Sequence, residues 1–163
     1  MNVLAMVGDT RGDWVDASPF RAQLRHQMAT FALQSDDVAA AAGIPARLAE
    51  HLLHGRNGRV VRRISPDTAR RLLRMSDDQL AFLGRLRVPS GPARLQVHRL
   101  RRSGWDDCAI AERVGISAPE LERLASAATT CTQLLTLRLT AAAQAADTAR
   151  LPGWTWRSPE AAA

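Results

Sequence analysis

The chain contains no lysine and no tyrosine, only two cysteines, and 4% aromatic residues. Each shortage removes a chemistry. Without tyrosine there is no nucleophile for a tyrosine recombinase or relaxase, and without lysine no P-loop phosphate grip and no Schiff base. Cys108 and Cys131 stand in neither a CxxC nor a zinc-ligand spacing, so reduced thiols in a cytoplasmic protein are expected. No apolar run approaches the roughly 18 residues of a membrane span, and no charged-then-apolar leader is recognisable. A serine recombinase would need a catalytic domain for which 163 residues leave no room. Asp36-Asp37 and Asp106-Asp107 are better read as helix starts than as an acid–base pair. Neither catalysis nor a cofactor is expected.

What remains is rich in alanine, leucine and arginine. Hydrophobic residues make up 46% of the chain, enough for a core, and their identity favours helices over sheets. All 22 basic residues are arginine, and they are unevenly placed. From Arg56 to Arg102 there are 13 arginines against three acids; elsewhere there are nine against 13. A basic centre between mildly acidic ends is the footprint of a polyanion binder.

One pattern occurs twice, 72 residues apart. The first copy, from Ser35 to Gly55, is built on Val38-Ala39, Ala42-Gly43-Ile44, Ala49 and Leu52. The second, from Asp107 to Ala127, has Ile110-Ala111, Val114-Gly115-Ile116, Leu121 and Leu124. Ala39 and Ala111 let two helices cross closely. Gly43 and Gly115 suit a tight turn that needs positive φ. The other apolar residues recur at helical spacing. Two matches in register predict two tandem helix-turn-helix units in an all-α protein.

The surrounding sequence fills in the plan. Residues 1–17 show no period and are expected to be a flexible lead. A first domain spans 18–87, opening with Ser18-Pro19 and a helix through Phe20, Leu24, Met28 and Phe31 to about Leu33. Ser35 starts the next helix, and Pro45 opens the presumed recognition helix, which stops at Gly55. Asn57-Gly58 between arginines predicts a tight hairpin, a small Arg-rich wing or loop. Ser65-Pro66 starts a helix with Ala69, Leu72 and Leu73 inward, and Ser76-Asp77-Asp78 another. Residues 88–92 form the expected linker. The second domain, 93–150, has a helix with Leu95, Val97 and Leu100 inward and a capping box at Ser117-Ala118-Pro119-Glu120. Aligning Thr68 with Thr132 gives the first unit about eight extra residues, in the Arg-rich segment. A last helix, Leu134 to Ala146, is apolar enough for a core or for a homodimer. The tail 151–163 carries Trp154 and Trp156, which suit packing onto the domain or docking a protein partner.

For double-stranded DNA, the base-reading candidates on the first unit are Ala46, Arg47, Glu50 and His51, with Pro45 and His54 beside them. Arg47 is placed to bond guanine O6 and N7 together. His51 and His54 at i, i+3 make half a metal site with no completing ligands, so surface or DNA contact is expected and no metal. On the second unit the candidates are Ser117, Ala118 and Arg123, flanked by Pro119 and Glu122. Backbone contacts fall to Arg56, Arg59, Arg62 and Arg63 on the loop, and to Arg99, Arg101 and Arg102. Glu112, Glu120, Glu122, Asp106 and Asp107 make the second unit acidic, so it is expected to contact DNA weakly or to bind protein instead.

The assembled motifs resemble a family of tandem helix-turn-helix proteins common in actinobacteria and their phages. The carrying residues are Leu52-Leu53-His54-Gly55, Ile64-Ser65-Pro66-Asp67-Thr68-Ala69, Val88-Pro89, Gly104-Trp105 and Gly153-Trp154-Thr155-Trp156. They cover roughly 18–157. Ala49 is smaller than the family pattern, and the second recognition helix is more acidic. The resemblance implies a DNA-binding regulator without specifying ligand or target. The expectation is a sequence-specific transcription regulator, a repressor, in the cytoplasm at the nucleoid. The alternatives are an adaptor or antitoxin-like module docking a protein such as RNA polymerase, and a nucleoid protein without sequence preference.

Overall fold

The computed structural model describes residues 14–149. Among them are nine helices and four strands of two or three residues, an all-α architecture in two compact units that meet between Ser76 and Asp77.

The first unit runs β1 (Val15–Asp16), α1 (Ser18–Phe31), α2 (Ser35–Ala42), α3 (Ala46–His54), β2 (Arg63–Ile64) and α4 (Pro66–Arg74). Its core joins Phe20 and Leu24 of α1, Val38 and Ala39 of α2, Ala49, Leu52 and Leu53 of α3, Ile64, and Ala69 and Leu72 of α4. Burying each large aliphatic side chain contributes about 1.5–3 kcal/mol. Ala49 is fully buried, so a methyl group suits that contact.

The second unit adds α5 (Asp77–Arg85) and then repeats the order: β3 (Arg87–Pro89), α6 (Gly91–Arg102), α7 (Asp107–Val114), α8 (Ala118–Ser126), β4 (Thr130–Thr132) and α9 (Gln133–Ala149). Val97, Leu100, Ile110, Val114, Leu121, Leu124 and Leu139 form its centre, closed by Ala142, Ala143 and Ala146. That face of α9 is therefore occupied by its own unit. Leu134, Leu135 and Leu137 are partly buried.

The two glycine turns are copies in hydrogen bonding as well as in sequence. Gly43 has φ 67° and Gly115 φ 70°. Ile44 N–H donates to Ala39 O at 3.0 Å and Gly43 N–H to Ala40 O at 3.3 Å. In the second unit Ile116 donates to Ala111 O at 3.0 Å and Gly115 to Glu112 O at 3.2 Å. Both are Schellman endings, which satisfy the last carbonyls of one helix while turning the chain into the next. An arginine backs each turn. Arg71 Nη1 donates to Gly43 O at 2.6 Å, and the guanidinium of Arg138 lies 3.0 Å from where a Gly115 Cβ would stand.

Several expectations are corrected. Residues 14–17 are not a flexible lead: Val15 and Asp16 pair antiparallel with Ile64 and Arg63, and Ala17 is fully buried; residues 1–13 lie outside the described part. The expected linker, 88–92, is structural too. Arg87, Val88 and Pro89 pair with Thr132, Cys131 and Thr130, Ser90 is buried, and Gly91 starts α6. The unit boundary accordingly falls before α5 rather than after residue 87.

Paired strands also fix the alignment of the repeats. The offset is 72 from Gly43 to Gly115 but 67 from Ile64 to Cys131, so the first unit has five extra residues, not eight. Thr68 corresponds to Leu135, and Arg71 to Arg138. Leu73 and Leu95, expected inward, are 64% and 54% exposed. Ser18 and Ser35 are first helical residues rather than caps. Asp16 Oδ1 accepts from Ser18 N–H at 3.0 Å, and Gln34 with Asp37 forms the box that starts α2. Ser65, Asp106 and Ser117 do cap their helices with side-chain oxygens.

Gly55 ends α3 with φ 82°, and a Cβ there would sit 2.7 Å from Arg59 O. At Gly58, φ is 74° but the space is open. Gly58→Ala should therefore cost only the left-handed backbone strain, about 1–2 kcal/mol. Gly55→Ala adds a clash with main chain and should cost more than about 3 kcal/mol by urea denaturation.

Candidate nucleic-acid interface

The five-residue excess lies immediately after α3. Arg56 and Arg59 exchange backbone hydrogen bonds of 2.8 and 2.9 Å around Asn57 (φ 51°) and Gly58 (φ 74°). Two consecutive positive φ values are those of a type I′ turn, as the Asn-Gly pair predicts. The hairpin is one bridge long. Beyond it the chain pairs with β1 instead of extending a wing.

The loop is held by its carbonyls, which leaves its side chains outward. Arg21 of α1 donates from Nε to Leu52 O at 2.7 Å and from Nη2 to Val61 O at 2.6 Å. Ala17 N–H donates to Arg62 O at 2.9 Å, and Arg25 Nη2 to Leu53 O at 3.1 Å. One guanidinium thus ties the last turn of α3 to the far side of the loop. Sequence reading missed Arg21, Arg25 and Arg71 because their partners are backbone atoms 28 to 40 residues away.

Arg56, Arg59, Arg62 and Arg63 are exposed, as are Ala46, Arg47, Glu50 and His54 on α3; His51 is half-buried. Among the described residues, the side chains of Arg47, Arg56, Arg59, Arg62 and Arg63 enter no hydrogen bond or ion pair. Neither do the exposed Arg70 and Arg74 of α4. Glu50 is engaged. Its Oε2 accepts from Ser35 Oγ at 3.0 Å, and its Oε1 lies 3.9 Å from His54 Nε2.

The second unit differs at the same positions. Arg47 corresponds to Pro119, and Ser117 spends its hydroxyl on the capping box with Glu120. Arg99 Nη2 bonds Asp147 at 2.6 Å, and Arg101 bonds both oxygens of Asp107 at 2.8 and 2.9 Å. Arg102, Ala118, Glu122 and Arg123 are exposed. Residues 14–76 hold ten arginines against five acids; residues 77–149 hold nine against eight. The excess charge thus belongs to the first unit. No described helix is long and apolar enough to cross a membrane. Trp154 and Trp156 lie outside the described residues. No protein-family model, characterised protein or solved structure matches the chain.

Removing the Arg21 fork should loosen the loop without touching its cations. Charged hydrogen bonds of this kind contribute about 1.5–3 kcal/mol, so Arg21→Ala should speed tryptic cleavage within 56–63 by at least about tenfold. The acid response follows from three carboxylates. Donation from the Ser18 backbone and hydroxyl holds Asp16 below the ordinary aspartate range. Ser117 lowers Glu120 in the same way, and Arg101 lowers Asp107. Their contribution is complete above the ordinary carboxylate range and is lost as pH falls below about 4. Asp16→Asn should flatten that acid branch in melting temperature measured from pH 7 to 3, and leave the slope above pH 5 unchanged.

Proposed function

We propose that the chain is a sequence-specific double-stranded DNA-binding regulator that acts as a repressor, with its first unit as the reading head. In this reading α2 and α3 form a helix-turn-helix, α3 lies in the major groove, and the Arg56–Arg63 loop grips phosphates beside it. The supporting observation is a set of exposed guanidinium groups, without partners among the described residues, on a loop fixed against the end of α3. Unpaired arginines give up no internal bond on binding phosphate, and a fixed loop loses little entropy. Arg47, in the first turn of α3, is the base reader; Ala46 and His51 flank it, while Glu50 orients Ser35 and His54. The resemblance to tandem helix-turn-helix regulators implies DNA binding but not this division.

The second unit serves a different purpose under the same reading. Its exposed helix start offers Ala118 and Pro119 rather than a cation, and Arg99 and Arg101, two of the four α6 arginines, are bonded to aspartates.

Selection from a random duplex pool, run beside an Arg56/Arg59/Arg62/Arg63→Ala variant, tests the proposal. A motif recovered by the native chain and lost by the variant is expected. The affinity of the native chain should fall with salt, and the log–log slope should shrink by about 0.9 for each phosphate contact removed. Arg47→Ala should cost about 1–3 kcal/mol on the preferred site and almost nothing on random sequence. Retention without a motif would indicate a nucleoid protein, and no retention at low salt would replace the DNA reading with the adaptor.

A further inference from the structure

The second unit contains an open cleft of about 580 Å³ beside the α7–α8 turn. Its apolar lining comes from Val114, Ile116, Leu124, Leu134 and Leu135, and its cationic lining from Arg87, Arg123 and Arg138. Glu120 is the one acid among the lining residues. Its Oε2 accepts from Ser117 N–H at 2.8 Å and from Ser117 Oγ at 2.7 Å, which commits it to capping α8.

Two of the arginines are held in place. Arg87 Nη2 donates to Thr130 O at 3.1 Å and to Thr130 Oγ1 at 2.8 Å. Arg138 packs on Gly115, where an added Cβ would meet both terminal nitrogens at 3.0 Å. Arg123 stands exposed at the rim.

The repeat shows that folding does not require this lining. At the positions of Arg87, Arg123 and Leu134 the first unit has Trp14, His51 and Asp67. Asp67 forms an ion pair of 2.8 Å with Arg71, the counterpart of Arg138. The second unit has leucine in place of that acid and arginine at two further positions around the same turn. The volume lies within the roughly 300–1,000 Å³ typical of ligand sites. Three guanidinium groups around an apolar floor, with one committed carboxylate, favour an anion that brings its own apolar body.

We propose that this cleft binds a small amphiphilic organic anion, its single carboxylate or equivalent head at the arginines and its apolar body on Leu124, Leu134 and Leu135. The inference is independent of DNA binding, and its test contains no DNA. The fluorescent sulfonate 8-anilinonaphthalene-1-sulfonate serves as the probe and decanoate as the competitor, both with the full chain.

The expected result is one probe per chain, displaced by decanoate but not by decanol. Arg123→Ala and Arg138→Gln should each weaken binding about tenfold, the loss of one charged hydrogen bond. Cys131 also lines the cleft but is buried, so its alkylation reports opening of the cleft wall. In a Cys108→Ser background it is the sole thiol, and saturating decanoate should slow its alkylation by iodoacetamide severalfold. Should Arg138→Gln lose its helical circular dichroism, Arg123→Ala decides, since that side chain is exposed on α8. Unchanged probe affinity in the folded arginine variants, or Cys131 labelling indifferent to decanoate, overturns the proposal.

Discussion

A left-handed residue closes α2 and another closes α7, and everything that follows in each unit takes its direction from that turn. The Schellman bonds from Ile44 to Ala39 and from Ile116 to Ala111 fix where the next helix begins. The same geometry buries Ile44 against the core. An L-residue with a side chain at Gly43 or Gly115 would strain the backbone by about 1–2 kcal/mol. At Gly115 it would also push into Arg138. The arginine behind each turn makes this a tertiary constraint as well as a local one. Arg71 of α4 and Arg138 of α9 each lie against the glycine of their turn.

With that frame fixed twice, the differences between units lie where the frame does not constrain them. Five residues after α3 make room for the Asn57-Gly58 turn and its arginines. The second unit lacks them, and its chain passes from α8 to the β3–β4 pair in fewer residues. In the first unit Arg21 supplies the donor to Val61 O. At the corresponding point of the second unit, Ser90 Oγ donates to Ala128 O at 2.5 Å. An arginine stands at the Arg21 position in both units, Arg94 in the second, so the inserted loop is braced by a residue type that the repeat shares.

What the sequence made legible was local. Gly43, Gly115, Ser65, Asp106, Ser117 and Asn57-Gly58 act within four or five residues, and their chemistry states the backbone they need. The apolar spacing of α2, α3, α7 and α8 was legible for the same reason. The strands were not. Val15–Asp16 and Arg87–Pro89 are too short to show an alternation, and their partners lie more than 40 residues away. They read as a lead and a linker because Val88-Pro89-Ser90-Gly91-Pro92 has the composition of one. Leu73 and Leu95 followed a helical period that the neighbouring elements do not cover. Charge was legible as a total but not as available charge. Arg99 and Arg101 count fully in composition, yet their partners, Asp147 and Asp107, appear only in three dimensions.

Under the proposed reading, those ion pairs alone would not separate the second unit from a phosphate backbone. Exposed pairs are worth about 0–1 kcal/mol, and a phosphate oxygen could replace a carboxylate at little cost. Position matters more. Where Arg47 is the second residue of α3, Pro119 is the second residue of α8, and a proline side chain offers no donor to a base edge. Glu120 and Glu122 stand on the same helix, and each would be carried towards phosphates if α8 entered a groove. The rim arginine Arg123 faces Glu120 and the cleft rather than extending a row of cations, because no inserted loop continues the charge beyond α8. A helix with no donor at its start and two carboxylates along it contributes repulsion before readout. Under the proposed readings, the repeated frame therefore holds two turn regions with different ligands, DNA at the first and an organic anion at the second.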